Sequence, residues 1–293
     1  MEGRILKGVG GFYEVLCDGT LHTCRARGRF RKDGMTPMIG DRVTFQPANG
    51  EELGYVEEIL PRSNELKRPP VANVDRLVLV TAAASPAPDL LLLDKILLQA
   101  RMLGIDPVLV VNKSDLAAGD AVAALLAEYT GAVDMTLAVS AADGRGMDAL
   151  QESLRGRCSC FAGQSGVGKS SLINRLAPQA EMEIGAVSRK LARGRHTTRH
   201  AELLALPEGG EVADTPGFSL VELERVEPRL LEQHYPEFDP HRGECRFHGC
   251  LHDREPDCAV KDAAAAGAIP AGRLARYQQI LTECRQNWRN RYD

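Results

Sequence analysis

Gly163-Gln164-Ser165-Gly166-Val167-Gly168-Lys169-Ser170 follows an apolar run, Arg157–Ala162, and leads into Lys169–Leu176, whose apolar residues recur at helical spacing. A strand, a glycine-rich loop and a helix in that order form a phosphate cradle. Backbone N–H groups and the helix N-terminus surround the β-phosphate, Lys169 reaches the β and γ oxygens, and Ser170 holds Mg²⁺. The expected nucleotide contacts run from Gly163 through Gln164, Ser165, Gly166, Val167, Gly168, Lys169 and Ser170 to Ser171.

Outward from this loop, strands and helices alternate. Strands are expected over Arg76–Thr81, Pro107–Val111, Thr136–Val139 and Arg157–Ala162, with further strands near Ala201–Ala205 and Glu211–Ala213. Helices are expected over Leu90–Leu103, Ala121–Tyr129, Met147–Leu154 and Lys169–Leu176. That alternation predicts a doubly wound parallel sheet, an α/β P-loop domain.

Two tetrad-like signals precede the loop. Asn112-Lys113-Ser114-Asp115 follows a buried strand, and Ser140-Ala141 follows the next one. Asp115 can accept from both N1–H and the exocyclic amine of guanine, whereas adenine offers no matching pair, so buried polar groups would go unmatched. Asn112 is expected to hold the base-side loop, the Lys113 stem to pack over the ring, and the Ser140-Ala141 backbone to meet guanine O6.

After the loop comes Asp214-Thr215-Pro216-Gly217. Asp214 is placed to bind Mg²⁺ through water, and the Gly217 amide to sense the γ-phosphate. Between them lies the basic stretch Gly194-Arg195-His196-Thr197-Thr198, one of whose threonines, Thr198 in the preferred reading, completes the Mg²⁺ shell. Together these elements predict a guanine-nucleotide hydrolase whose motifs are circularly permuted, because the base-reading motifs come first. The segment that senses γ-phosphate then adjoins the C-terminal region, and its motion is expected to pull on the chain beyond Gly217.

That C-terminal region carries Cys245-Xaa₄-Cys250-Xaa-His252-Xaa₅-Cys258. Three thiolates and one imidazole suit a closed, tetrahedral, structural zinc site, with His248 as the alternative to His252. A helix from about Gly272 to Asn290 places Leu274, Tyr277, Ile280, Leu281, Cys284 and Trp288 on one face. The remaining cysteines, Cys17, Cys24, Cys158, Cys160 and Cys284, read as buried thiols.

The N-terminal segment reads as short strands broken by turns: Phe12–Cys17, Leu21–Gly28, Arg42–Gln46 and Tyr55–Leu60. It predicts an OB-like β-barrel. Strict alternation of Arg25, Arg27, Arg29 and Arg31, followed by Lys32, puts a basic face on one strand, a candidate RNA contact. Pro61, Pro69 and Pro70 mark a linker. Domains are therefore expected at 1–68 (barrel), 69–225 (GTPase) and 226–293 (mainly α, zinc-binding).

Composition fits this organisation. The chain has 293 residues, 44% hydrophobic and 26% charged, with a net charge of −4. Collagen-like, disordered and disulfide-scaffold classes are excluded. No apolar run is long enough for a membrane span, and no basic segment with a long apolar run opens the chain, so a cytoplasmic protein with reduced thiols is expected. The acid-free stretches between Asp18 and Asp33 and between Glu183 and Glu202 concentrate positive charge for a polyanionic partner.

The permuted motif order, the Gly-Gln-Ser-Gly-Val-Gly-Lys-Ser-Ser and Gly-Arg-His-Thr-Thr stretches, and the cysteine spacing resemble the small ribosomal subunit biogenesis GTPases (RsgA, also called YjeQ or YloQ). The likeness covers essentially the whole chain. It implies a bacterial cytoplasmic monomer that binds the 30S subunit and its 16S rRNA late in maturation. It also implies GTP hydrolysis to GDP stimulated by the subunit, driving release of assembly factors. Phe218 stands where many GTPases carry a water-orienting glutamine; the resemblance gives that role to His196. The rival readings are an RNA-binding scaffold with structural GTP and a metallochaperone GTPase.

Overall fold

β1 (Glu2–Val9), β2 (Phe12–Cys17), β3 (Thr20–Ala26), β4 (Arg42–Gln46) and β5 (Gly54–Ile59) run in the order β1-β2-β3-β5-β4, and β1 also pairs with β4. The five strands thereby close into a barrel with no free edge, with β3 and β5 parallel. Ile5, Val15, Cys24, Val43, Phe45 and Val56 fill its interior. The computed structural model describes residues 1–28, 30, 34–49, 53–67, 69–117, 119–178, 202–214 and 226–290.

Two differences from the sequence reading arise in the barrel. Glu2–Val9 lacks clean alternation, yet it is a strand because three neighbours, β2, β4 and β12 (Glu202–Ala205), pair with it. β3 ends at Ala26, so among the described residues Arg25 lies on the strand and Arg27 beyond it. The chain turns there, with Phe30 N–H donating to the Arg27 carbonyl at 3.2 Å. Arg29, Arg31 and Lys32 lie outside the described residues.

The proline-rich stretch is packed rather than a linker. β6 (Glu65–Lys67) and β7 (Pro70–Ala72) form a hairpin that buries Leu66 and Val71. Asn73 Oδ1 accepts from Ser63 N–H at 2.9 Å, and Asn64 Oδ1 accepts from Val74 N–H at 2.9 Å. Pro70 sits at the start of a short strand, where proline costs no ladder bond.

The remaining elements are β8 (Arg76–Ala82), α1 (Leu90–Met102), β9 (Asp106–Asn112), α2 (Ala121–Glu128), β10 (Met135–Ala138), α3 (Met147–Leu154), β11 (Cys158–Ala162), α4 (Lys169–Leu176), β12 and β13 (Glu211–Asp214). Two 3-10 helices (Pro228–His234 and Pro236–His241), α5 (Ala259–Ala265) and α6 (Ala271–Asn290) come after them. β8 and β11 are buried along their whole length, as expected for strands covered on both faces.

By its internal contacts the chain forms two compact units. The first comprises Met1–Leu77, Met147–Ala162 and Gly168–Ser219. Here β11 and β13 pair in parallel, while β12 pairs antiparallel with β13, so the sheet is mixed where an all-parallel one was expected. The reason is the short Leu206–Gly210 turn, which permits only a hairpin. β12 also joins β1, where Lys7 pairs with Glu202 at 2.6 Å and Arg4 with Glu211 at 3.1 Å.

The second unit comprises Val78–Gly146, Gly163–Val167 and Leu220–Asp293. β9 and β10 pair in parallel. The Asp89 side chain caps α1 by accepting from Leu92 N–H at 2.9 Å. Leu98 on α1 shares a core with Leu231, Tyr235, Phe238, Tyr277 and Cys284. Five of the six residues expected on the apolar face of α6 are buried, and Trp288 is half-buried.

A charged knot lies inside this core. Asp94 on α1 is fully buried and pairs with Arg273 at 2.7 Å and Arg276 at 2.6 Å, both on α6, and accepts from the Tyr129 hydroxyl at 2.7 Å. Arg273 also pairs with Glu237 at 2.6 Å, and Arg276 with Glu128 on α2 at 2.7 Å. Burial disfavours the Arg273 cation, yet Asp94 and Glu237 outweigh it and raise its pKa above the ordinary value. Region 226–290 is thus fastened to α1 and α2, the helices that flank the Asn-Lys-Ser-Asp strand.

Candidate nucleotide loops and metal cluster

Gly163 leaves β11 at φ 139°, and a Cβ there would come within 2.1 Å of the Val80 carbonyl oxygen. Glycine is therefore required for the loop to pass so close to β8. Val167, at the loop's far end, is fully buried. Gly168 then adopts a left-handed conformation (φ 99°) and opens α4, whose first residues are Lys169, Ser170 and Ser171. Burial lowers the pKa of Lys169, as expected of an ammonium partly withdrawn from water.

The loops that were expected to read the base are tied to this one. Asn112 is buried; its Nδ2 donates to the Val167 carbonyl at 2.8 Å and its Oδ1 accepts from Ala141 N–H at 3.2 Å. One side-chain amide therefore spans the Gly163–Val167 loop and the Ser140-Ala141 loop. Lys113 has left-handed backbone (φ 59°), and its Nζ donates to the Ser85 carbonyl at 2.6 Å and the Gly166 carbonyl at 2.8 Å. Ser114 N–H donates to the Val139 carbonyl at 3.1 Å, and Asp115 next to it is exposed. Ser140 is buried, and its Oγ accepts from Asp143 N–H at 3.2 Å.

These bonds give Asn112 and Lys113 more to do than the sequence suggested. Both act as braces between loops, and the carbonyl of Ser85, which no motif marks, is one of the brace points. Asp214 closes β13. His196, Thr198 and Gly217 lie outside the described residues.

The four metal-ligand candidates come together. One ligand atom each from Cys245, Cys250, His252 and Cys258 lies within 4.8 Å of every other. Cys245 Sγ and Cys258 Sγ are 3.8 Å apart, and His252 Nδ1 lies 3.6 Å from the first and 3.3 Å from the second. Metal–sulfur bonds near 2.3 Å and metal–nitrogen bonds near 2.0 Å, tetrahedrally disposed, separate nitrogen from sulfur by about 3.5 Å and sulfur from sulfur by about 3.8 Å, close to the distances here, so the cluster suits one such ion. His248, the alternative, is exposed and outside the cluster. Cys158 and Cys284 are buried and are not among the four ligand candidates, and burial pushes their thiols up to about 12 and about 11, which disfavours the reactive thiolate.

On the barrel, Arg25 lies 4.5 Å from the Phe12 ring centroid and Arg27 5.9 Å from that of Tyr55. Arg27 also pairs with Glu57 at 3.0 Å.

Residues 59–224 match the model of the RsgA GTPase family, and residues 2–56 match that of the RsgA N-terminal domain. The chain belongs to the RsgA GTPase family. A relative from Geobacillus thermodenitrificans, named small ribosomal subunit biogenesis GTPase RsgA, is 46% identical over 97% of this chain and 98% of its own. One of the same name from Caldanaerobacter subterraneus subsp. tengcongensis is 43% identical over 100% of this chain and 98% of its own.

Among solved structures, YjeQ from Thermotoga maritima superposes with a TM-score of 0.83 at 34% identity, covering 97% of this chain and 98% of that one. YloQ, described as a circularly permuted GTPase, gives 0.80 at 37% identity over 97% and 95%. The closed N-terminal barrel and the permuted GTPase fold are thus those of the RsgA family, and the chain is a GTP hydrolase. Among the described residues, no helix is long and apolar enough to cross a membrane.

Proposed function

We propose that this protein hydrolyses GTP to GDP and phosphate during late maturation of the small ribosomal subunit, with turnover stimulated by the 30S particle. The observation that carries the nucleotide assignment is the Asn112 amide, which braces the phosphate-loop residue Val167 and the base-side residue Ala141 at once. A single side chain holding both loops fixes the span between the phosphate and base ends of one nucleotide, which favours the reacting geometry.

In this reading Gly163–Ser171 wrap the phosphates, and Lys169 carries positive charge to the β and γ oxygens. Asp115 accepts from guanine, the Ala141 amide donates to O6, and the Gly217 amide meets the γ-phosphate. Bound Mg²⁺ neutralises developing charge on the phosphates; Ser170, Thr198 and Asp214 are its proposed holders. His196 orients the attacking water, a task the apolar Phe218 side chain cannot perform. Cys245, Cys250, His252 and Cys258 hold one structural zinc ion. Arg25, Arg27, Arg29, Arg31 and Lys32 contact 16S rRNA, and hydrolysis releases the protein and other assembly factors. The protein acts as a cytoplasmic monomer.

The test is GTP turnover with and without purified 30S subunits at two salt concentrations. Stimulation that weakens as salt rises is expected, because phosphate contacts through arginine release counterions. Equal turnover with and without subunits would overturn the ribosomal part of the reading and leave the GTPase intact.

A further inference from the structure

We propose that Glu232 is a positioning residue of the metal cluster: its carboxylate holds the His252 imidazole so that Nδ1, and not Nε2, faces the ion. The proposal rests on the reading of Cys245, Cys250, His252 and Cys258 as a zinc site. Glu232 lies on the 3-10 helix Pro228–His234, outside the cysteine–histidine spacing, and is not itself a ligand candidate.

The two ring nitrogens of His252 have different surroundings. Nδ1 points at the sulfurs of Cys258 (3.3 Å) and Cys245 (3.6 Å), while Nε2 is 2.6 Å from Glu232 Oε2. The imidazole is 2% exposed, and Glu232 is the acceptor that lies against its Nε2. A neutral histidine that gives its Nδ1 lone pair to a metal must carry its proton on Nε2. That N–H, buried without an acceptor, would cost the desolvation of a polar group. Glu232 accepts it, which selects the tautomer and increases electron donation from the ring.

Several contacts keep the ring from swivelling to the other mode. His252 has left-handed backbone (φ 56°), and its carbonyl accepts from Gln278 Nε2 at 2.9 Å. Its ring meets Phe238 edge-on, with centroids 5.7 Å apart and planes at 84°. Glu232 is itself anchored, since its carbonyl accepts from Arg242 Nη2 at 2.8 Å. In the folded protein the ring and the backbone that carries its acceptor are therefore both held in place.

The experiment uses the full chain as wild type, Glu232→Ala and Glu232→Gln. Zinc content is measured first, then zinc affinity by competition with a chromophoric chelator, then histidine tautomers by ¹⁵N NMR of the zinc-loaded proteins. Failure of wild type to bind one equivalent of zinc would overturn the zinc reading itself. Given wild-type binding, Glu232→Ala is expected to weaken zinc about 10–100-fold. Glu232→Gln, whose amide oxygen still accepts from Nε2–H, is expected to recover most of that loss. Wild type and Glu232→Gln should both show Nδ1 bound to metal and Nε2 protonated; this readout holds even if the alanine variant folds poorly. An Nε2-bound metal in wild type, or an alanine variant that folds and binds within threefold of wild type, would overturn the proposal.

Discussion

The nucleotide loops and the metal cluster are built in opposite ways. The loops bring together Ser85, Asn112, Lys113, Ala141, Gly166 and Val167, which are far apart in the chain, through side-chain bonds to backbone carbonyls and amides. The cluster draws all four of its ligand candidates from 245–258 and takes only its supports from elsewhere. In the first case the fold must exist before the site does. In the second, a bound ion would complete the fold, since thiolates held this close repel without a cation between them.

That contrast is sharpest in what removal of one component should do. Lys169→Ala deletes the charge offered to the phosphates, so GTP turnover should fall by at least about a hundredfold, far more than any accompanying loss of stability would explain. Turnover within a few-fold of wild type would remove Lys169 from the chemistry. Stripping metal with a chelator should act the other way round. Order in 226–290 should be lost first, visible as a change in Trp288 fluorescence, because ion binding there is folding free energy. Unchanged fluorescence and amide exchange after complete metal removal would break the comparison.

Smaller effects are expected from the supports. Asp94→Ala leaves Arg273 buried beside Glu237 alone, and should destabilise the protein by about 3–5 kcal/mol in denaturant titration. A loss no larger than about 1 kcal/mol, the scale of the exposed Arg27–Glu57 pair, would mean that water reaches the knot. Asn112→Ala leaves the Val167 carbonyl and the Ala141 amide without their shared partner and should cost about 1–3 kcal/mol. Because the brace spans both loops, much of that loss should appear as weaker GDP binding in calorimetry; unaltered affinity would confine Asn112 to stability.

Much of the fold and the site is legible in the chain for one physical reason: short-range patterns report short-range requirements. The helices Met147–Leu154 and Lys169–Leu176 have the ends their apolar spacing predicts. Gly163 of the phosphate loop marks a place where a side chain would strike backbone, and the spacing of the metal-ligand candidates is local by nature. Prolines mislead at 61–70 because rigid, polar sequence looks like a linker until Leu66 and Val71 are seen to be buried. The arginine alternation misleads because β3 ends at Ala26.

The amino-acid sequence by itself determined the chemistry on offer: a phosphate-loop motif, a candidate guanine acceptor, a permuted order and four metal-ligand candidates. Tertiary structure alone decided what holds those groups in place. Glu2–Val9 became a strand by pairing with three others. Asp94 and Arg273 belong to no motif, and they form a buried knot. Glu232 found His252 across twenty residues. Each is a partnership between distant positions, and a pairing of that kind leaves no periodicity or spacing in the chain to read.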